Sequence, residues 1–256
     1  MKDTKKLKIL AISFCYNEIN FIKLKEDWCK SQDIDMYIID NISNDGTYEY
    51  LVKNKIPNHR FDTNGEFHLV KLQKELIKTV NILKPDWVIY MGVDEFFFSK
   101  GGLRKDIEEA DKNGYDLIKV KGIDIRNTGE SNNLHMFNKF FYFNIPADYN
   151  QARIIKYQDN LSLLADHFEN NSKNKIMQHN DSFLLFNYGN TKSAKERNAS
   201  LERRRKAWDN NLNRVWGTHY IAGNKKNWVW NKNDLQDIRT SSYAWVIKEL
   251  QTLLPK

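Results

Sequence analysis

Cysteine is scarce in this chain: 256 residues hold only Cys15 and Cys29, the first in a predicted strand and the second in a predicted helix. Two such thiols build no disulfide framework and favour a reducing compartment. Long apolar runs are missing as well, and no stretch approaches the roughly 20 apolar residues that a helix needs to cross a bilayer. The N-terminal MKDTKKLKILAISFCYNE has a basic start and an apolar run. That run is short and lacks a small-residue cleavage site, so it reads as a first strand rather than a signal peptide. No repeat, low-complexity tract or linker rich in Pro, Gly or Ser divides the chain. Neither GxGxxG nor GxxxxGK[ST] occurs, which removes the two commonest phosphate loops. The expectation is a globular cytoplasmic protein, soluble or peripheral to a membrane.

What is present suits a large core. The chain is 41% hydrophobic and 13% aromatic, enough for one large domain or two small lobes. Its net charge of +7 is compatible with nucleic acid, an anionic membrane surface or a phosphate-bearing ligand.

Taken in order, residues 8–14 (KILAISF) predict a strand ending at Tyr16-Asn17-Glu18. A helix follows, with Phe21, Leu24 and Trp28 on its apolar face and Lys23, Lys25 and Glu26 outward. Met36–Asp40 predicts a second strand, then Ser43-Asn44-Asp45-Gly46 supply turn chemistry and Thr47 caps a helix through Leu51. A short strand over 59–62 precedes a helix over 67–83 with Leu69, Leu72, Leu76 and Val80 on one face. Trp87–Met91 is an apolar run that suits a strand buried on both sides. Four strands alternating with three helices indicate a parallel, doubly wound α/β sheet.

Downstream the pattern loosens. A helix over 103–112 and a strand over 115–121 are expected, then a loop-and-hairpin region over 122–152, strands at 153–157 and 182–186, and a basic helix over 192–208. In that helix Ala194, Leu201 and Trp208 form a narrow apolar stripe, and Arg203, Arg204, Arg205 and Lys206 offer charge for a phosphate or an anionic lipid surface, or simply face solvent. The Trp-rich tail (Trp216, Trp228, Trp230, Trp245) covers the sheet or lines a cleft.

Within PDWVIYMGVDEFFF, the adjacent carboxylates of Asp94 and Glu95 interrupt two hydrophobic blocks. Buried charges are costly without compensation, and ligands bind at the carboxyl ends of strands in open α/β sheets. The pair is therefore a candidate metal or substrate site, with an acidic solvated turn as the alternative.

Three strand ends now carry polar groups, and together they resemble a known family. FCYNE resembles the opening strand end of the GT-A glycosyltransferases of the family-2-like, nucleotide-sugar-dependent group; IIDNISNDGT resembles that family's VVDDxSxDGT block, and WVIYMGVDEFF its WxxxxDxDEF metal motif. The resemblance covers about the first 100 residues. It implies a GT-A fold with a Rossmann-like, mostly parallel sheet and helices on both faces. Residues 1–121 would be the donor-binding half and 122–256 an irregular α+β acceptor half of one continuous domain. It also implies transfer of a sugar from a nucleotide sugar, with a UDP-sugar expected, to a glycan or lipid-linked acceptor hydroxyl in polysaccharide biosynthesis, with inversion and with Mn²⁺ or Mg²⁺. Nucleic acid is not an expected partner.

By that resemblance Tyr16 and Asp40 contact the nucleobase, Asn17, Glu18 and Asn41 shape its pocket, and Asp94 with Glu95 holds the metal. His219 and His167 are candidate further ligands, with His179 behind them. The structural alternatives are packing for Tyr16, helix capping for Glu18, and for Asp40 a turn held through Asn44 or Asp45. Asp181 and Asp166 are candidate general bases for the acceptor hydroxyl. Gly92 departs from the family pattern, since it stands where the first Asp of DxD is expected. That leaves open weaker metal binding, completion of the shell by Glu95 or a His, metal independence, or a degenerate homologue.

Overall fold

The computed structural model describes residues 6–64, 66–126, 142–145, 150–164, 167–169, 173–178, 183–192, 198–203, 233 and 235–252. In the first half β1 (Ile9–Cys15), α1 (Ile19–Ser31), β2 (Asp35–Asp40), α2 (Thr47–Lys53), β3 (Asn58–Arg60), α3 (Leu69–Leu83), β4 (Trp87–Tyr90), β5 (Glu95–Ser99) and α4 (Leu103–Lys112) follow one another. β6 (Leu117–Ile125), β7 (Tyr142–Asn144), β8 (Asn150–Lys156), β9 (Leu163–Leu164), β10 (His167–Phe168), β11 (Ile176–Met177) and β12 (Phe183–Asn187) come next, with β13 (Gln236–Asp237) and α5 (Val246–Thr252) near the end.

The first four strands lie parallel in the order β3-β2-β1-β4. This is the doubly wound α/β arrangement expected from apolar strand-length runs alternating with amphipathic helices. Antiparallel β8 sits beside β4, and β6 beside β8, so strands from both halves of the chain share one sheet. β12 joins it parallel to β6 and antiparallel to β5.

β1 shows why its apolar run is continuous. Ile9 and Ala11 face one core cluster with α1 and α4, while Leu10 and Ile12 face a second with Leu76 and Val80 of α3. Helices thus cover both faces. Each such fully buried aliphatic side chain stabilises the fold by about 1.5–3 kcal/mol. Leu69, Leu72, Leu76 and Val80 are all buried, as their spacing predicts.

Three expectations need correction. Lys25 and Glu26 of α1 are buried rather than outward. Lys25 Nζ donates to the carbonyls of Gly92 (3.0 Å) and Glu95, and it lies 4.4 Å from the centre of the Phe96 ring. Glu26 accepts from Tyr50 Oη and Lys30 Nζ, both at 2.6 Å. Second, Gly122–Ile125 is not loop but the end of β6, held there by pairing with β7 and β12. Third, Lys192 does not begin a helix: it follows the 3-10 turn Gly189–Thr191 in extended conformation. Residues 198–203 are helical, Leu201 is buried, and Ala194 and 204–208 lie outside the described residues. Of the Trp-rich tail, Trp245 packs against the first core cluster and the other three fall outside the described residues. Among the described residues no helix is long and apolar enough to cross a membrane.

Candidate functional site at the carboxyl edge of the sheet

Parallel pairing places the ends of β1, β2 and β4 on one edge, and the SNDGT segment after β2 locks the first two together. Asn17 has φ 56°, a left-handed conformation that Asn tolerates better than most residues. Its side-chain amide makes reciprocal bonds with Asn44 (2.9 and 2.8 Å), and its backbone N–H donates to Ser43 Oγ at 2.9 Å. Glu18 N–H donates to Thr47 Oγ1, and Ile19 N–H to Asp45 Oδ2. Asp45 also accepts from the Thr47 N–H, closing an Asx turn at Gly46, whose φ is 92°. The motif's residues are accounted for one by one as fasteners of the strand ends.

Asp40 is fully buried. Its carboxylate accepts the Ser43 N–H at 3.1 Å, Arg60 Nε at 3.2 Å and the Cys15 thiol at 3.6 Å. It holds the turn, through Ser43 rather than Asn44 or Asp45. Asn41 fastens the next loop: its Oδ1 accepts from the Thr63 N–H and hydroxyl, and its Nδ2 donates to the Glu66 carbonyl. Tyr16 is half-buried, with the Arg203 guanidinium 4.0 Å from its ring centre.

Glu18 does not cap α1 with its side chain. It reaches Lys192 instead, Oε1 to Nζ 2.5 Å, and the same Nζ lies 3.2 Å from Asp94 Oδ2. This triad joins the ends of β1 and β4 to the turn after β12. Burial pushes the Glu18 carboxyl up to about 7, with Lys192 opposing and Asp94 adding to the rise. Burial works against the Lys192 charge, yet Asp94 and Glu18 together hold its pKa above the usual lysine value.

The Asp94 carboxylate is wedged between two glycines. A Cβ on Gly92 would lie 2.9 Å from its Oδ1, and a Cβ on Gly189 2.8 Å from its Oδ2. Glu95 begins β5 rather than a loop, and it turns the other way. Its Oε2 accepts the Gly92 N–H at 2.7 Å and its Oε1 lies 3.3 Å from Arg153, both side chains being buried. Asn187 of β12 sits between Glu95 and Asp124 in register, and Asp124 pairs with Arg126 at 2.8 Å. Tyr16, Asn17, Glu18, Asp40, Asn41, Asp94 and Glu95 thus gather at one edge. His167 heads β10, with its side chain outside the described residues, as are Asp166, Asp181, His179 and His219.

Sequence reasoning missed Lys192, Arg153, Lys25, Arg60 and Gly189. Two had a visible signal: Arg153 is a cation in the apolar run ARIIKY, and Lys25 lies four residues after Phe21 on the buried stripe of α1. Lys192 had none, since 174 residues separate it from Glu18.

No family model matches this chain, and no curated protein does. Solved structures resemble it at low identity. TarS of S. aureus (residues 1–349) is 16% identical with a TM-score of 0.43, over 81% of this chain and 66% of that one. The same protein in complex with UDP-GlcNAc is 20% identical with a TM-score of 0.35, over 53% and 39%. A mannosyltransferase from Pyrobaculum calidifontis, in complex with GDP-Man and Mn²⁺, is 14% identical with a TM-score of 0.37, over 46% and 36%. This chain therefore spans little more than a third of the mannosyltransferase, and about two thirds of the TarS fragment in the longer match.

Proposed function

We propose that this chain is a GT-A-type glycosyltransferase that moves a sugar from a nucleotide sugar, with a UDP-sugar the first candidate, to a hydroxyl of a glycan or lipid-linked acceptor. The observation that carries the reading is the convergence of three strand ends, 16–18, 40–47 and 94–95, on one sheet edge. The Asn17–Asn44 and Glu18–Lys192–Asp94 contacts fasten them together. Ligands of open α/β sheets bind in that position.

On this reading Tyr16 offers a ring face to the base, and the 43–47 turn fastens the residues that follow it, Asn17 and Glu18. Arg203 and Lys192 bring positive charge to the side on which the leaving diphosphate would sit. Transfer with inversion needs a carboxylate to take the acceptor proton, and Asp166 and Asp181 remain the candidates. A divalent cation, where one is bound, neutralises the leaving diphosphate. The described donor set does not fit one: no three His, Cys, Asp or Glu side chains converge among the described residues, Asp94 is paired with Lys192, and Glu95 is paired with Arg153.

The test is release of nucleoside diphosphate from a panel of UDP- and GDP-sugars by the full chain, with and without Mn²⁺. Turnover of at least one donor is expected, together with its loss in Asp94→Ala. Binding without turnover across the panel and a range of acceptor glycans would favour a second reading, a catalytically degenerate nucleotide-binding homologue. Gly92 in place of an acid is the observation behind that alternative.

A further inference from the structure

We propose that Lys192 supplies the positive charge facing the donor's diphosphate, in the place where a divalent cation is expected. The inference rests on the nucleotide-sugar reading and names the cation of that same site. Three observations lead to it. The Lys192 ammonium stands 3.2 Å from Asp94 Oδ2, the carboxylate on which a metal would have to be held, and 2.5 Å from Glu18 Oε1. Its side chain is only 11% exposed, so its charge acts in a poorly screened corner. Position 92 carries no second acid, and a side chain there would start 2.9 Å from the Asp94 carboxylate, which would have to shift to admit it.

The chemistry of the group fits the task. An ammonium has three N–H donors, and two carboxylates engage it among the described residues. A phosphate oxygen can take the third donor, or replace Glu18 as the stronger partner. Arg203, eleven residues further along the same segment, lies over Tyr16 and adds a second cation beside the first strand end. Both cations come from the segment after β12. The described acids of the corner, Glu18 and Asp94, are thereby balanced without an ion from solution. Displacement of Glu18 by the diphosphate gives the proposal an unusual sign: removing that acid should tighten binding.

Calorimetric titration of UDP and of GDP into the full chain, once in EDTA and once in MnCl₂, tests this. Wild type should bind one of them in EDTA, with an affinity within a few fold of that in MnCl₂. Lys192→Met should weaken binding by about tenfold or more, about 1.4 kcal/mol, and Glu18→Gln should strengthen it in EDTA. Because Lys192→Met strands two carboxylates, Glu18→Gln/Lys192→Met serves as the variant that keeps the corner balanced; it too should bind weakly. Binding that appears only with Mn²⁺, or Lys192 variants that bind like wild type, would overturn the role of Lys192 and leave the nucleotide reading intact. Absence of UDP and GDP binding in both buffers would overturn both.

Discussion

Lys25 carries its ammonium into the core of the protein, where two backbone carbonyls and the face of Phe96 replace water. Those carbonyls belong to Gly92 and Glu95, so the residue ties α1 to the turn that carries Asp94. Lys25→Met removes the ammonium bonds to both carbonyls, while the Gly92 carbonyl keeps the Glu95 N–H at 3.1 Å; the loss should cost about 1–3 kcal/mol in all, measurable as a lower urea midpoint. Burial pushes the Lys25 pKa down to about 8, with Cys29, Glu95 and Asp94 opposing the shift. An unfolded lysine titrates near pH 10.4. Between about pH 8 and 10 the unfolded chain therefore binds more protons, and this group's contribution to stability rises with pH. The gap between wild type and Lys25→Met should widen in that direction when urea midpoints at about pH 7.5 and about pH 9 are compared. Cys15 and Cys29 are both buried, and burial raises both thiol pKa values. Alkylation should therefore reach neither until the protein unfolds.

At the scale of elements, the turns rather than the strands position the candidate site. Gly189 is an example at the site itself, because a Cβ there would meet Asp94 Oδ2 at 2.8 Å and Asn187 Oδ1 at 3.0 Å. Gly189→Ala should cost about 1–3 kcal/mol by overpacking and should shift the Asp94 carboxylate off Lys192. A lower melting temperature together with weaker nucleotide binding is the expected pair of outcomes. Gly92→Asp meets the same carboxylate from the other side, so it should destabilise the turn rather than add a ready second ligand.

The elements of the first half were legible because hydrophobic period marks them locally: α4 spans 103–112 as expected, and the first four strands begin and end within a few residues of expectation. The ends of β6 and the start of β5 were not, because partners far along the chain set them. Gly122–Ile125 becomes strand only when β7 and β12 pair with it, and Phe96–Phe98 only when β12 lies alongside. The SNDGT turn was legible as a turn. Its use in fastening Asn17 and Glu18 was not, since side chains 26 to 29 residues apart close those bonds.

At the scale of the molecule, one sheet runs through both halves, and β4 and β6 share β8 between them. Late segments return to the first core cluster, where Ile238, Tyr243, Val246 and Leu250 are buried. The acidic edge formed early in the chain is thus completed by cations from its later part, Lys192 and Arg203. The strand-end motifs marked where the candidate site is; the long-range ion pairs that finish it leave no local pattern. Whether this edge is a nucleotide-sugar site is decided by crystal structures of the full chain with UDP and with GDP. In one of them the base ring should stand at Tyr16 and the diphosphate beside Lys192 and Asp94. Ordered nucleotide elsewhere on the protein, or no nucleotide at millimolar concentrations of either, would count against the nucleotide-sugar reading.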